Sequence, residues 1–180
     1  GGTHSLALKA DGTVVAWGNN DRKQCNVPTG LTDVIAISAG NAHSLALKAD
    51  GTVEAWGANT MWQCEVPADL SNVVAISAGY DFSVALIVTG TIVSWGNIVD
   101  PPSGSYGGIT AGGSHALGAH TNGVRGWGNN DFGQCDNPEG FTFLGYLTGI
   151  TVTPGEVTPA FVPTRTAWYD INLDNKVSSV

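Results

Sequence analysis

Three cysteines and three histidines recur at matching places along this 180-residue chain, and both residue types can ligate metals. Cys25, Cys64 and Cys135 each follow a glutamine, and the first two lie 39 positions apart. His4 and His43 are also 39 positions apart. Zinc binding, a disulfide and histidine catalysis are therefore the chemistries that these residue types and spacings bring into question.

The cysteine spacing argues against a disulfide and against a metal site. Equivalent atoms in neighbouring repeats should lie about 10 Å apart, the spacing of packed sheets. That distance exceeds the roughly 7 Å between Cα atoms that a disulfide can bridge. The sequence has no C-x-x-C motif and no histidine at zinc spacing from a cysteine. We therefore predict buried structural thiols that do not pair, no metal and no cofactor.

The recurring histidines also favour a structural role. His4, His43 and His115 share one place in the repeat, each beside a serine, and Phe82 occupies that place in the third copy. We expect a repeated hydrogen bond at the entry to a strand. No G-x-S-x-G motif, paired carboxylates, phosphate-binding loop or dinucleotide motif is present. The sequence therefore predicts no catalytic residues and no enzyme activity.

These regularities reflect an internal repeat. Residues 4–18 read HSLALKADGTVVAWG and return at 43–57 with one change, Glu54 in place of Val15. The third copy lacks the Gln-Cys-x-Val-Pro tail of the others, so the fourth copy follows six positions early. Periods near 40 residues are typical of solenoids and propellers. The four units are predicted at about 1–33, 34–72, 73–106 and 107–146.

Within one unit the pattern predicts β-structure. Residues 34–38 form a short β-branched run, residues 44–48 alternate large and small side chains, and Asp50-Gly51 is a hairpin turn signal. We expect antiparallel blades of three to four strands and almost no helix before Pro138. Each unit places a tryptophan before a glycine, and these rings are predicted to pack between blades: Trp17, Trp56, Trp95 and Trp127.

With these motifs in register, residues 1 to about 140 resemble the RCC1 repeat in its compact bacterial form. The resemblance implies a seven-bladed β-propeller, of which this chain supplies about four blades. The expected fold is all-β, a partial propeller that is a fragment of a larger ring. Four such blades cannot close, so we expect the end blades to expose apolar faces and to promote self-association.

The segment 147–180 departs from the repeat. Its Pro159-Ala-Phe-Val-Pro163 motif, followed by Tyr169, resembles the start of a bacterial cadherin-like β-sandwich. Domains of that kind occur in secreted and surface-attached bacterial proteins. The resemblance therefore implies an extracellular or cell-surface location, although this piece carries no signal peptide.

Charge and hydropathy restrict the partners. The net charge is -8, which opposes binding to phosphate backbones, so no nucleic acid is expected. No stretch approaches the 18 apolar residues of a membrane span, so no membrane insertion is expected. A protein partner of unknown identity is the remaining expectation.

Strand direction predicts where such a partner would bind. The loops that follow the first and third strands of a blade should share one face, and the Asp-Gly turns should lie on the other. The units differ on that first face, which favours recognition, although neutral variation of solvated loops would give the same pattern. The candidate binding residues are Asn41, Trp62, Tyr80, Asp81 and Phe132.

The leading hypothesis is a non-enzymatic protein-binding or scaffold module. A relative with similarly short repeats, the propeller-type β-lactamase inhibitor, binds its enzyme through loops on one face. The resemblance implies that style of binding and not that target. Two alternatives stay open: guanine-nucleotide exchange on a small GTPase, as in the founding member of the family, and an accessory domain of a larger extracellular enzyme.

Overall fold

The computed structural model describes residues 1–120 and 123–137. These residues form eleven strands and no helix, which confirms the all-β class. They therefore include no helix that could span a membrane. The predicted sandwich segment and its boundary at 146/147 lie outside the described residues. In chain order the strands are β1 His4–Leu8, β2 Val14–Gly18, β3 Val34–Ala39, β4 His43–Lys48, β5 Val53–Gly57, β6 Val73–Ala78, β7 Phe82–Ile87, β8 Ile92–Gly96, β9 Tyr106–Ala111, β10 His115–His120 and β11 Gly123–Gly128.

The strands pair into four antiparallel sheets, one for each repeat. Three sheets have three strands in sequence order, β3-β4-β5, β6-β7-β8 and β9-β10-β11, as predicted for propeller blades. The first sheet contains only β1 and β2, because just three residues precede β1 in this chain. The sheets of the described residues and the repeats of the sequence therefore both indicate a partial β-propeller.

The hairpin turns are built by side chains as well as by glycine. The Asp50 carboxylate accepts hydrogen bonds from the backbone N–H of Thr52 at 3.0 Å and from its hydroxyl at 2.6 Å. These bonds hold the pKa of Asp50 at about 2. Gly51 supplies the positive φ of +80° that the turn requires. The Asp-Gly pair therefore predicts these turns because the aspartate accepts the turn's hydrogen bonds and the glycine adopts its positive φ.

Each middle strand turns alternate side chains toward the two neighbouring blades. In β4, Leu45 and Leu47 pack with Val73 and Trp95, which belong to the third repeat. Ala46 lies on the opposite face and packs against the first repeat. All three β4 side chains are at most 1% exposed. The small alanine lets two sheets approach closely, so the core of this structure is a series of blade junctions.

A chain of hydrogen bonds, the junction relay, crosses each of the first two junctions. The buried backbone carbonyl of Gln24 accepts the Ser44 hydroxyl at 3.0 Å and the Trp56 indole N–H at 2.9 Å. Since the Ser44 proton is used there, the His4 Nε2–H must donate to Ser44 Oγ, 2.9 Å away. At the second junction the corresponding residues are Gln63, Ser83, Trp95 and His43, with bonds of 2.9, 2.9 and 3.0 Å.

The relay confirms the repeated histidine bond for His4 and His43 and identifies its partner. The acceptor is the serine of the next repeat, a partner that the sequence did not predict. The histidine therefore joins two blades. In its neutral form, the histidine of the relay carries its proton on Nε2, the atom that donates to the serine.

The third junction replaces the relay with apolar contacts. Phe82 takes the histidine position and packs against Ala116, which takes the serine position. The missing tail of the third repeat removes the glutamine carbonyl as well. Trp127 is still present and only 5% exposed, but its indole N–H has no hydrogen-bond partner among the described residues. Three positions have therefore changed together, and one donor is left unpaired.

The tryptophan expectation is wrong for the first repeat. Trp56, Trp95 and Trp127 are at most 8% exposed, whereas Trp17 is 55% exposed. No described residue covers the face of β1 and β2 that Trp17 shares with Val15. The exposed apolar face predicted for the first blade is thus present, and self-association through it stays a prediction.

The three thiols are free but only half-buried, which corrects the prediction of full burial. Each Sγ donates to the backbone carbonyl six residues earlier, and in Cys64 the acceptor is Ala58 at 3.1 Å. Burial, with a smaller contribution from the charge of Glu65, raises the pKa of Cys64 to about 11. The thiol is therefore protonated at neutral pH, which makes it a poor nucleophile.

The relay predicts the outcome of two substitutions at the second junction. Ser83→Ala should lower the free energy of unfolding by about 1–3 kcal/mol, because it leaves the buried His43 N–H without an acceptor. His43→Phe combined with Ser83→Ala copies the third junction and should recover most of that loss. Urea denaturation of the two variants measures the difference. A double variant that is less stable than Ser83→Ala would contradict the relay.

Acid should destabilise the fold through His43. Burial lowers the pKa of His43 from 6.5 to about 4, so between these pH values the unfolded chain binds a proton that the folded chain does not. The free energy of unfolding should therefore fall by roughly 3 kcal/mol as the pH drops from 7 to 4. Burial lowers the pKa of His4 too, which adds a loss of the same sign. Urea denaturation at several pH values across this range measures the free energy of unfolding. Its dependence on pH should be weaker in the His43→Phe/Ser83→Ala variant, and an equal dependence in both proteins would contradict the role assigned to His43.

Thiol labelling tests the environment of Cys64. A disulfide reagent at pH 8 should label Cys64 much more slowly in the folded chain than in urea, because its pKa near 11 leaves little thiolate. Mass spectrometry of digested samples resolves the three sites. Rapid labelling of Cys64 in the folded protein would show that the thiol is not held against the Ala58 carbonyl.

Candidate functional site

One end of every blade carries the variable loops, and this end is called the loop face. The pairing of Ala39 with Ser44 and of His43 with Gly57 places the end of β3, the start of β4 and the end of β5 together. At the opposite end, the Gly51 carbonyl accepts the N–H of Val73 at 3.0 Å. The strand-direction argument is therefore confirmed: the Asp-Gly turns lie away from the loop face.

Three long loops of the loop face, residues 19–25, 58–64 and 129–135, are held by the same side-chain bonds. In the second loop, Gln63 Oε1 accepts the N–H of Met61 at 2.8 Å, and Asn59 Oδ1 accepts the N–H of Cys64 at 2.9 Å. Gln24 and Asn20 do the same in the first loop, as do Gln134 and Asn130 in the fourth repeat. Fixed loop backbones hold the residues at their tips in defined positions.

Trp62 is displayed at the tip of the second loop. Its side chain is 70% exposed, and its backbone has a φ of +59°, in the left-handed region. Lys23 and Gly133 occupy the same position in the other loops, with φ of +65° and +72°. A bulky residue is disfavoured in this conformation, by roughly 1–2 kcal/mol. The exposure of a large ring at such a position makes Trp62 a candidate for a role outside folding.

A hydrogen bond connects the Trp62 loop to the candidate residues of the third repeat. In the first loop the Gln24 amide donates to Asn19 Oδ1 at 2.7 Å, within the same loop. The second loop has Ala58 in place of that asparagine. Gln63 Nε2 instead donates to Asp81 Oδ1 at 3.3 Å. The structure therefore brings Trp62 and Asp81, two of the predicted binding residues, onto adjoining loops.

Asn41 and Tyr80 line an open cavity of about 410 Å³ beside these loops. Alanine and glycine at the ends of the first strands form most of its wall. A Cβ on Gly79 would lie 2.1 Å from the Phe82 ring, so no side chain fits at this position of the cavity wall. The N–H of Tyr80 donates to the Gly113 carbonyl at 2.8 Å, and the ring itself is 54% exposed. Asn41 is half-buried.

Phe132 lies on the same face but in another place. Its ring is 93% exposed at the tip of the fourth repeat's loop. The third repeat, which lacks a long loop, separates it from the loop of Trp62. Sequence reasoning missed Met61, which is 42% exposed beside Trp62; its position at a loop tip was the available signal. No group of histidine, cysteine or acidic residues in the described ranges is placed to hold a metal ion.

Three segments of the chain match a known repeat family. Residues 1–24, 34–61 and 108–134 match the Regulator of chromosome condensation (RCC1) repeat. These segments belong to the first, second and fourth repeats, and the third, with its altered junction, lies outside the match. No curated protein sequence matches the chain.

Several solved structures share the fold. Yeast RCC1 (Prp20), in its structure with Kap60 bound, is 25% identical with a TM-score of 0.62, over 71% of this chain and 42% of that chain. Prp20p from Saccharomyces cerevisiae, studied with its binding to Gsp1p and histones, is 22% identical with a TM-score of 0.59, over 70% and 43%. The ectodomain of the Physcomitrella patens receptor kinase CR4 is 23% identical with a TM-score of 0.62, over 71% and 37%.

The chain thus spans less than half the length of each of these proteins. Their likeness covers 70–71% of this chain, and the match to the repeat family falls on the first, second and fourth repeats. The described residues therefore resemble RCC1 repeats and fold as part of a β-propeller.

Proposed function

We propose that this chain is a non-enzymatic protein-binding module that recognises its partner through the loop face, with Trp62, Tyr80 and Asp81 at the centre. The observation that carries the proposal is Trp62, exposed at a strained backbone position on a loop held by four internal or neighbouring hydrogen bonds. Glycine adopts this backbone conformation without the cost that tryptophan bears, so replacing a tryptophan of no function with glycine would stabilise the protein.

The composition of the surface supports this proposal. Tryptophan and tyrosine dominate the energetics of protein interfaces, and both are more than half exposed at this place. The loop backbone is already ordered, so binding costs less conformational entropy. The Asp81 carboxylate belongs to this surface, so a partner with a basic residue beside an apolar patch complements it.

Proteins with the same fold give further support. The yeast RCC1 structure contains Kap60 as a bound protein, and Prp20p was studied for its binding to Gsp1p and histones. Propellers of this kind therefore serve as binding proteins. Their partners are properties of those proteins, and the partner of this chain is a separate question.

The remaining sequence hypotheses stand beside this proposal. A guanine-nucleotide exchange activity is tested by adding the chain to small GTPases loaded with a fluorescent nucleotide and following its release. The extracellular or cell-surface location and the cadherin-like tail stay predictions, because both rest on residues outside the described part. The same holds for an accessory role in a larger enzyme.

Two substitutions on the loop face test the proposed function. Trp62→Gly should leave the melting temperature unchanged or raise it, because Gly133 already occupies the same position in the fourth repeat. Trp62→Gly and Tyr80→Ala should each weaken partner binding by about thirtyfold, the effect of losing a central aromatic contact. The partner is first recovered from extracts of the source organism on immobilised chain, and affinities are then measured by surface plasmon resonance.

Lys23→Gly is the matched control, since it makes the same backbone change on the first loop without removing an aromatic ring. It should bind the partner as the unchanged chain does. If Trp62→Gly binds as tightly as Lys23→Gly, the loop-face proposal is wrong.

A further inference from the structure

The third junction contains a place that a loop fills at the other two junctions. There, the carbonyls of Gln24 and Gln63 each accept an indole N–H, from Trp56 and Trp95 respectively, both at 2.9 Å. In the third repeat the glutamine-cysteine segment is missing, while the tryptophan that it would serve, Trp127, is retained. The indole N–H of Trp127 is buried and has no partner among the described residues.

A second unpaired group faces the same place from the opposite blade. Ser94 Oγ is buried and also lacks a partner among the described residues. Its position in the repeat corresponds to Gly126, where a Cβ would lie 2.6 Å from the Cα of Cys135. A side chain at this position therefore points toward the glutamine-cysteine loop of its own repeat. The region between Ser94 and Trp127, where the other repeats place that loop, is called the loop niche.

The segment that follows β8 stands in the sequence where the other repeats have the glutamine-cysteine loop. Ile98 is half-buried and packs against the cluster that contains Trp127, and the next residue, Val99, is 63% exposed. Val99, Asp100 and Pro101 form no hydrogen bond with any described residue. The segment is fixed on either side, by Ile98 N–H to the Gly96 carbonyl at 3.0 Å, by the Tyr106 hydroxyl to the Pro102 carbonyl at 2.8 Å and by Arg125 Nη1 to the Ser103 carbonyl at 3.1 Å. A competing chain can therefore displace residues 99–101 without breaking a hydrogen bond between described residues.

We infer that the loop niche binds an extended peptide segment of a protein partner. A main-chain carbonyl of that segment accepts the Trp127 indole N–H, and an adjoining main-chain group pairs with the Ser94 hydroxyl. The chain itself shows which chemistry fits, because a main-chain carbonyl fills the same position at both other junctions. Both unpaired groups are uncharged, and an amide satisfies them without burying a charge. This inference goes beyond the loop-face proposal and would hold even if Trp62 bound nothing.

A peptide from this chain provides the probe. The acetylated and amidated peptide NNDRKQCNVP has the sequence of residues 19–28, which include the Gln24 carbonyl of the first junction. Titrated under reducing conditions into the ¹⁵N-labelled full chain, it should move the indole N–H resonance of Trp127 downfield in a saturable manner. The indole resonances of Trp56 and Trp95 should not move, because their N–H groups are already bonded. A scrambled peptide should have no effect.

Substitutions separate the niche from the rest of the surface. Trp127→Phe keeps an apolar ring and should weaken peptide binding about tenfold, the value of one hydrogen bond. Ser94→Ala should weaken it to a smaller extent. Trp95→Phe is the matched control, since it removes an N–H that Gln63 already occupies, and it should leave the affinity unchanged.

Two results would overturn the inference. One is the absence of any shift of the Trp127 resonance at several millimolar peptide. The other is an equal loss of affinity in Trp127→Phe and Trp95→Phe. Trp62→Gly distinguishes this site from the loop-face proposal: it should not change peptide affinity, and a loss there would place the peptide on the loop face and exclude the niche.

Discussion

A buried glutamine carbonyl with two donors, a serine hydroxyl and an indole N–H, is the interaction on which this structure depends. Two β-sheets packed face to face would be held by apolar contacts alone, which are tolerant of sliding. The carbonyl of Gln24 or Gln63 fixes the position, because an unpaired polar group at that depth is costly. The first two repeats, which keep the 39-residue spacing, each bring their own loop to the tryptophan of the next repeat.

The third junction shows that the relay is replaced as a unit. Removal of the glutamine segment accompanies phenylalanine for histidine at 82 and alanine for serine at 116, so no histidine is buried without its serine. The indole of Trp127 is the exception. The relay uses the glutamine carbonyl and not the side chains at the loop tips, so the tips differ between repeats and expose residues such as Trp62 and Phe132.

The sequence was sufficient for the repeat, the strands, the Asp-Gly turns and the direction of the loops, because these depend on local spacing and on the period of the chain. It was insufficient for contacts between blades. Trp17 and Trp56 stand in nearly identical segments, yet one is 55% exposed and the other 8%, since burial depends on what lies across the junction. The sequence also did not predict the bond from Gln63 to Asp81, because this bond forms where the second loop lacks the asparagine that accepts the glutamine amide in the first loop.

Hydrogen exchange of the indole N–H groups tests the relay most directly. In a fully labelled sample transferred to D₂O, the signals of Trp56 and Trp95 should persist, because their N–H groups exchange only when a blade junction opens. The signal of Trp17, on a face that no described residue covers, should disappear early, as should that of the exposed Trp62. If Trp56 and Trp95 exchange as fast as Trp17, the glutamine carbonyls do not hold the blades together and the account fails.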